Sequence, residues 1–202
     1  MKKIMMTLAA GRMVLTFFFC CAMTTTVFTA CGSDDDDNNT PKMSEIRGIG
    51  ARYTFSVTEQ MSQLCDYTIT YYDINGKLTT EKATWTVKDG VATWEKSVSN
   101  TSSPVTFGLK VSAKVKDGTQ LNDAKVDNFY PLTEKMNVEG ITTDAKTAWE
   151  KTVYFRSGSV HGNTTVEKLQ SSLDAMERHG GMVNKYYTFD KDGNEIASGS
   201  ME

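Results

Sequence analysis

Residues 105–116 alternate strictly between apolar and polar side chains for twelve positions. The apolar members are Val105, Phe107, Leu109, Val111, Ala113 and Val115, and three lysines lie among the residues between them. Because successive side chains of a β-strand point to opposite faces, this pattern predicts a long strand with one buried face and one face in water. Such half-buried strands are typical of antiparallel sheets.

Three shorter stretches, at positions 53–57, 67–71 and 146–156, show a similar pattern. Their inward-facing members are predicted to be Tyr53, Phe55, Val57, Tyr67, Ile69, Tyr71, Trp149, Val153 and Phe155. Aromatic and β-branched residues are favoured in strands. The body of the chain is therefore predicted to consist mainly of half-buried strands.

Four short turn motifs separate the predicted strands. They are Asn75-Gly76, Asp89-Gly90, Asp117-Gly118 and Asp192-Gly193. Tight hairpins favour these dipeptides because their turns need residues that accept a positive φ. We therefore predict a hairpin turn at each of them, and a last hairpin over residues 182–198.

Residues 164–179 break the strand pattern and predict one amphipathic helix of about four turns. The apolar residues at helical spacing are Val166, Leu169, Leu173 and Met176. Thr164 and Glu167 have the spacing of a capping box, and Gly180-Gly181 is typical of a helix end. Many strands, one helix and a final hairpin predict a mostly β fold, either a sandwich or a barrel.

Composition narrows the class of protein. Hydrophobic residues make up 39% of the 202 residues and charged residues 23%, which is typical of a globular chain. The formal net charge of −3 argues against a nucleic-acid partner, since such proteins need a basic surface. Three of the four cysteines lie within the first 31 residues, so the body has only Cys65 and is not a disulfide scaffold.

Residues 1–30 are predicted to be a lipoprotein signal peptide. Basic residues precede an uncharged run at positions 13–23, which has the length of a signal-peptide core and is too short to span a bilayer. Ala30 directly precedes Cys31. This stretch resembles the lipobox of bacterial lipoproteins, although Phe28 stands where that pattern usually has Leu. The resemblance implies that Cys31 is lipid-modified and anchors the protein to a membrane.

Residues 31–45 are predicted to be the lipidated cysteine and an acidic, flexible tether. The acidic tract consists of Ser33, Asp34, Asp35, Asp36 and Asp37. Adjacent carboxylates repel one another and keep such a segment solvated. The tract resembles that of Bacteroides-type surface lipoproteins, which implies export to the outer face of the outer membrane. A tether without a sorting role is the alternative.

Residues 52–116 also resemble uncharacterised Bacteroides-type lipoproteins. The shared features are an opening strand, an aromatic strand ending in a turn like Tyr71-Tyr72-Asp73-Ile74-Asn75-Gly76-Lys77, a Trp-bearing strand, and a long strand like Phe107-Gly108-Leu109-Lys110-Val111. The resemblance covers about a third of the chain. It implies an antiparallel immunoglobulin-like β-sandwich, here a single domain over residues 46–202. A lipocalin-like barrel is the alternative.

Residues with catalytic or metal-binding chemistry are few. His161 falls in a polar loop, His179 ends the predicted helix, and Cys65 is predicted to be a small buried residue. The chain has no His-Glu-x-x-His, Cys-x-x-Cys or Gly-x-Ser-x-Gly motif. The segment 190–194 differs from a calcium loop, because its glycine is fourth rather than sixth. We therefore predict no metal, no cofactor and no catalytic residues.

Aromatic rings are the remaining basis for a site. The candidates for stacking on a ligand are Trp85, Trp94, Trp149 and Tyr72. An exposed ring matches the apolar face of a sugar, whereas packing in the core is the competing interpretation, since sandwiches commonly bury a tryptophan. Core packing is favoured for Trp85, and exposure for Tyr72, which points away from Tyr71.

These observations lead to one functional hypothesis and two alternatives. The hypothesis is a non-catalytic binding module at the cell surface, with a glycan or a neighbouring surface protein as its partner. The first alternative is a structural or accessory subunit of a surface assembly or uptake complex, which would be favoured by an exposed, unprotected edge strand. The second is a hydrolase with two carboxylates, one of them with a raised pKa.

Overall fold

The computed structural model describes residues 45–119, 125–155 and 162–202. All of them belong to one compact unit, Lys42–Glu202. The predicted signal peptide, the lipidation site Cys31, the acidic tract with Ser33, and His161 lie outside the described residues.

The described residues form twelve strands and two helices. The strands are β1 (Ile46–Thr58), β2 (Cys65–Tyr72), β3 (Leu78–Lys82), β4 (Thr86–Lys88), β5 (Val91–Asn100), β6 (Val105–Val115), β7 (Lys125–Val126), β8 (Thr133–Thr142), β9 (Thr147–Tyr154), β10 (Thr164–Thr165), β11 (Val183–Phe189) and β12 (Glu195–Gly199). The helices are α1 (Glu59–Leu64) and α2 (Val166–Arg178).

Ten of these strands form two antiparallel sheets. Sheet A has the order β4-β5-β1-β8-β9, and sheet B has the order β12-β11-β6-β2-β3, while β7 and β10 pair separately. Within the described residues the two sheets do not join into a closed barrel, so the lipocalin-like alternative is wrong. The predicted antiparallel β-sandwich is confirmed.

The core lies between the facing sides of the two sheets. Phe55 of β1 and Tyr67 of β2 are in ring contact across it, with centroids 6.0 Å apart. The hydroxyl of Tyr53 in β1 accepts the backbone N–H of Gly108 in β6 at 3.2 Å, which joins the sheets through a buried hydrogen bond. Burying each large apolar side chain stabilises the fold by about 1.5–3 kcal/mol, so these facing rows hold the sandwich together.

The long predicted strand is confirmed as β6, whose apolar members from Val105 to Val111 are buried. Gly108 is also buried, although the alternation points it away from the core. A β-carbon at Gly108 would lie 2.9 Å from Met201 Sδ, so the C-terminal residues cover this part of sheet B. Met201 is held there by its backbone N–H, which donates to Asn184 Oδ1 at 2.8 Å.

Three of the four predicted turns join strands that pair with each other. They are the turns at Gly76 between β2 and β3, at Gly90 between β4 and β5, and at Gly193 between β11 and β12. All four glycines have a positive φ. The hairpin expected at Asp117-Gly118 is wrong, because β6 pairs with β2 and β11 and the next described strand pairs with β10.

Helix α2 confirms the predicted amphipathic helix but begins later than expected. Thr164 and Thr165 are extended and pair with β7, so Thr165 is the N-cap and makes no capping bond with its side chain. The predicted Thr164–Glu167 capping box is therefore wrong. The helix buries Val166, Leu169 and Leu173 as the spacing predicted, and it packs beside β6.

Helix α1 was not predicted, so the expectation of a single helix is wrong. It has only six residues, too few for helical periodicity to show in the sequence. The Thr58 side chain accepts the backbone N–H of Met61 at 3.2 Å and caps the helix. Met61 is fully buried, which ties this connection between β1 and β2 to the core.

None of the helices in the described ranges is both long enough and apolar enough to cross a membrane.

Candidate functional site: a pocket beside Trp149

Trp149 lies in β9, the edge strand of sheet A, and is half-buried. Its indole Nε1 donates a hydrogen bond to the backbone oxygen of Lys191 at 3.0 Å. Lys191 belongs to the turn between β11 and β12 in sheet B. The indole therefore connects the edges of the two sheets.

Two glycines make room for the Trp149 ring. Gly140 is its direct partner in the pairing of β8 with β9, and a β-carbon there would overlap the indole nitrogen. A β-carbon at Gly193 would lie 2.8 Å from Trp149 Cδ2. The ring thus occupies the space that a side chain would fill if either position were not glycine. Close packing of this kind holds the indole in one orientation.

Trp149 lines an open pocket of about 890 Å³. The charged residues around it are Glu45, Asp144, Lys146, Lys191 and Asp192. We call this cavity the Trp149 pocket. Its volume is within the range of about 300–1,000 Å³ that is typical of ligand sites, and charges of both signs lie beside one aromatic ring.

Asp144 has a fixed and ionised carboxylate. Its Oδ2 lies 2.8 Å from Lys146 Nζ, and the Thr142 hydroxyl donates to its Oδ1. The hydrogen bonds from Lys146 and then Thr142 lower the pKa of Asp144 to about 2. The backbone N–H of Lys146 also donates to the Thr142 hydroxyl at 3.0 Å. The turn between β8 and β9 therefore places an ion pair, Asp144 with Lys146, at the pocket.

The second turn of the pocket is organised by Asp190. Its Oδ1 accepts the backbone N–H groups of Asp192 and Asn194, both at 2.9 Å. Hydrogen bonds from the Asn194 side chain and backbone lower the pKa of Asp190. The carboxylate thus closes its own turn and sets the backbone that carries Lys191 and Asp192. Within the described residues, no three His, Cys, Asp or Glu side chains are grouped so that they could hold a metal ion.

The other three candidate stacking residues lie elsewhere. Trp94 is 3% exposed and belongs to the core. Trp85 is half-buried and packs edge-on against Tyr67 at a centroid distance of 5.2 Å, as core packing would require. Tyr72 is half-buried on β2. Trp149 alone among the four lines the pocket, and the structure does not bring the four rings to one surface.

Sequence reasoning identified Trp149 but missed Asp144 and Lys146. Both residues lie in a polar turn directly before strand β9, and the sequence marks this segment only as a turn. It does not show which other turn of the fold lies beside this one. Gly140 was a second signal, because a glycine within a strand marks a close approach of another group. No family model, no curated protein and no solved structure matches this chain.

Proposed function

We propose that the protein is an outer-membrane surface lipoprotein whose β-sandwich is a non-catalytic glycan-binding module. The anchor at Cys31 and the export tract rest on the sequence. The observation that carries the binding proposal is the Trp149 indole, held in one orientation in the wall of an open pocket.

The pocket has the groups that recognition of a sugar needs. An indole face is apolar and packs against the C–H groups of a pyranose ring. The carboxylates of Asp144 and Asp192 accept hydrogen bonds from hydroxyls, and the ammonium groups of Lys146 and Lys191 donate them. Because the Trp149 ring is already ordered, binding loses little side-chain entropy there.

A binding site for a glycan is better supported than strand addition by a protein partner. The edge strand β9 has charged residues, Glu150 and Lys151, at its centre. The edge strand β12 has five residues and a register shift where it pairs with β11. Central charges and bulges are the usual means by which sheet edges avoid pairing. These features of β9 and β12 argue against strand addition there, on which the accessory-subunit alternative depends.

The hydrolase alternative has less support from two carboxyl groups at the turns around the Trp149 pocket. The pKa values of Asp144 and of Asp190 are both lowered. A general acid in a two-carboxylate mechanism needs a raised pKa. The lowered values favour Asp144 as a hydrogen-bond acceptor in binding.

The binding proposal is tested with the full chain in detergent on an array of neutral and acidic polysaccharides. We expect at least one glycan to bind, and the Asp192→Ala and Lys191→Ala variants to bind it about tenfold more weakly. Lys88→Ala, at the β4–β5 hairpin on the opposite edge of sheet A, is the matched control and should bind normally. No bound glycan, or binding that both pocket variants retain, would refute the proposal.

The lipoprotein part is tested separately in the producing cells. We expect labelled fatty acid to enter the wild-type chain and not a Cys31→Ser variant. Protease added to intact cells should digest the wild-type domain. Replacement of the four aspartates at 34–37 with asparagine should protect it, and unchanged digestion would argue for a tether without a sorting role.

A further inference from the structure

A second cavity lies at the other end of β1 from the Trp149 pocket. The Trp149 pocket includes Ile46, the first residue of β1. The second cavity includes Phe129 and Tyr130, in the segment whose Leu132 N–H donates to the Ser56 oxygen near the end of β1. We call this cavity of about 570 Å³ the Phe129 groove.

The floor of the Phe129 groove is formed by core side chains. Phe129, Phe155 and Met182 line it, and each is less than one-tenth exposed. The Phe129 and Tyr130 rings lie against each other with centroids 4.2 Å apart, so they form one continuous aromatic wall. A ligand in this groove would therefore contact apolar atoms over most of its body.

Helix α2 forms the opposite wall. Ser172, Ala175, Met176 and His179 line the groove and share one helical face, because residues three and four apart lie side by side. Ser172 and Ala175 have small side chains. They leave an open space between the helix and the aromatic wall.

The described lining of the groove carries a positive charge at Lys185. Lys185 and His179 line the groove and are both exposed, and none of the lining residues that the structure describes is Asp or Glu. This contrasts with the chain as a whole, in which acids outnumber lysines and arginines by 25 to 22. Asn184, Ser172 and Ser200 add neutral hydrogen-bonding groups. The lining therefore complements an anion.

We propose that the Phe129 groove binds an amphipathic carboxylate, a molecule with an apolar ring body and one anionic end. The body packs on Phe129, Phe155 and Met182, where burial of apolar surface favours binding. The carboxylate lies at the mouth beside Lys185, whose ammonium group donates to it. This site is separate from the Trp149 pocket and does not depend on the proposed glycan.

Two small probes of nearly equal shape test this proposal, naphthalene-2-carboxylate and its uncharged carboxamide. Calorimetric titration of the full chain in a non-ionic detergent gives the affinity for each. We expect the carboxylate to bind about fivefold more tightly than the amide. Binding of neither probe at millimolar concentration, or equal affinities, would overturn the proposal.

Two variants then locate the site. Lys185→Gln should remove the preference for the carboxylate, whereas Lys168→Gln, which is in α2 but outside the lining of the groove, should keep it. Ala175→Phe should fill the groove and weaken both probes about tenfold. Circular dichroism checks that Ala175→Phe is folded, and Lys185→Gln tests the site if it is not. If a groove variant loses probe binding but still binds the glycan, this site is distinct from the Trp149 pocket. Unchanged probe affinity in both Lys185→Gln and Ala175→Phe would refute the proposed site.

Discussion

The indole N–H of Trp94 donates a hydrogen bond to Glu81 Oε1 at 2.9 Å. Trp94 lies in β5 of sheet A, whereas Glu81 lies in β3 at the edge of sheet B, so this bond joins the two sheets. Glu81 Oε2 also accepts bonds from the Tyr71 hydroxyl at 3.0 Å and the Lys96 ammonium at 3.1 Å. Trp149 makes the corresponding connection at the other margin of the sandwich.

Replacement of Glu81 tests this connection. Glu81→Ala would remove the acceptor from the buried Trp94 N–H, and an unsatisfied buried donor costs about 1–3 kcal/mol. We expect the free energy of unfolding in urea to fall by that amount. Glu95→Ala, an exposed glutamate beside Trp94 on the same strand, is the control and should change it by less than about 0.5 kcal/mol.

A double-mutant cycle with Trp94→Phe isolates the hydrogen bond. Phenylalanine has no N–H, so Glu81→Ala should cost less in the Trp94→Phe background than in the wild type. Equal costs in the two backgrounds would show that the Trp94–Glu81 bond does not stabilise the fold.

The same carboxylate predicts how stability depends on pH. Burial raises the pKa of Glu81, but the hydrogen bonds from Trp94, Lys96 and Tyr71 outweigh it, so the pKa is lower than its ordinary value of 4.5. A carboxyl with a lowered folded pKa stabilises the protein above its unfolded pKa. This contribution is lost as the pH falls through the folded pKa.

We therefore expect the free energy of unfolding to decrease as the pH falls below about 4.5. Denaturant titrations at a series of pH values measure this slope. The slope should be shallower for Glu81→Gln, which cannot ionise. Glu95→Gln is the control and should keep the wild-type slope, whereas a wild-type slope in Glu81→Gln would contradict the assignment.

Substitution by alanine should have a large effect at one glycine of sheet A and a small effect at another. The methyl group of Gly140→Ala would overlap the Trp149 indole, while that of Gly50→Ala would meet its nearest atom at an ordinary 3.5 Å. We expect Gly140→Ala to destabilise the fold by about 1–3 kcal/mol, because the ring must move. Gly50→Ala should have a much smaller effect, and equal effects measured in urea would contradict the packing of Trp149.

Cys65 is expected to be unreactive in the folded protein. It is 1% exposed, and burial raises the pKa of its thiol to about 12, so very little thiolate forms at neutral pH. Iodoacetamide should label Cys65 only when denaturant is added, as measured by mass spectrometry of its peptide. Labelling in native buffer at the rate of a free peptide thiol would contradict this burial.

The sequence alone determined the local structure of the sandwich. The alternation over residues 105–116 predicted β6, and helical spacing predicted the buried face of α2. Glycines after Asn or Asp predicted three hairpin turns. These predictions succeed because the periods of strands and helices and the need for a positive φ involve neighbours in the chain.

The candidate site was decided by contacts between residues far apart in the chain. Alternation shows that Trp94 and Trp149 share a face with other apolar residues, but it does not show what covers each ring. Trp94 meets Glu81 of the other sheet, and Trp149 meets a turn 42 residues later in the chain. The order of the strands in the two sheets determines both contacts. Only the packing of one sheet on the other therefore determined that Trp94 is in the core and that Trp149 lines a pocket.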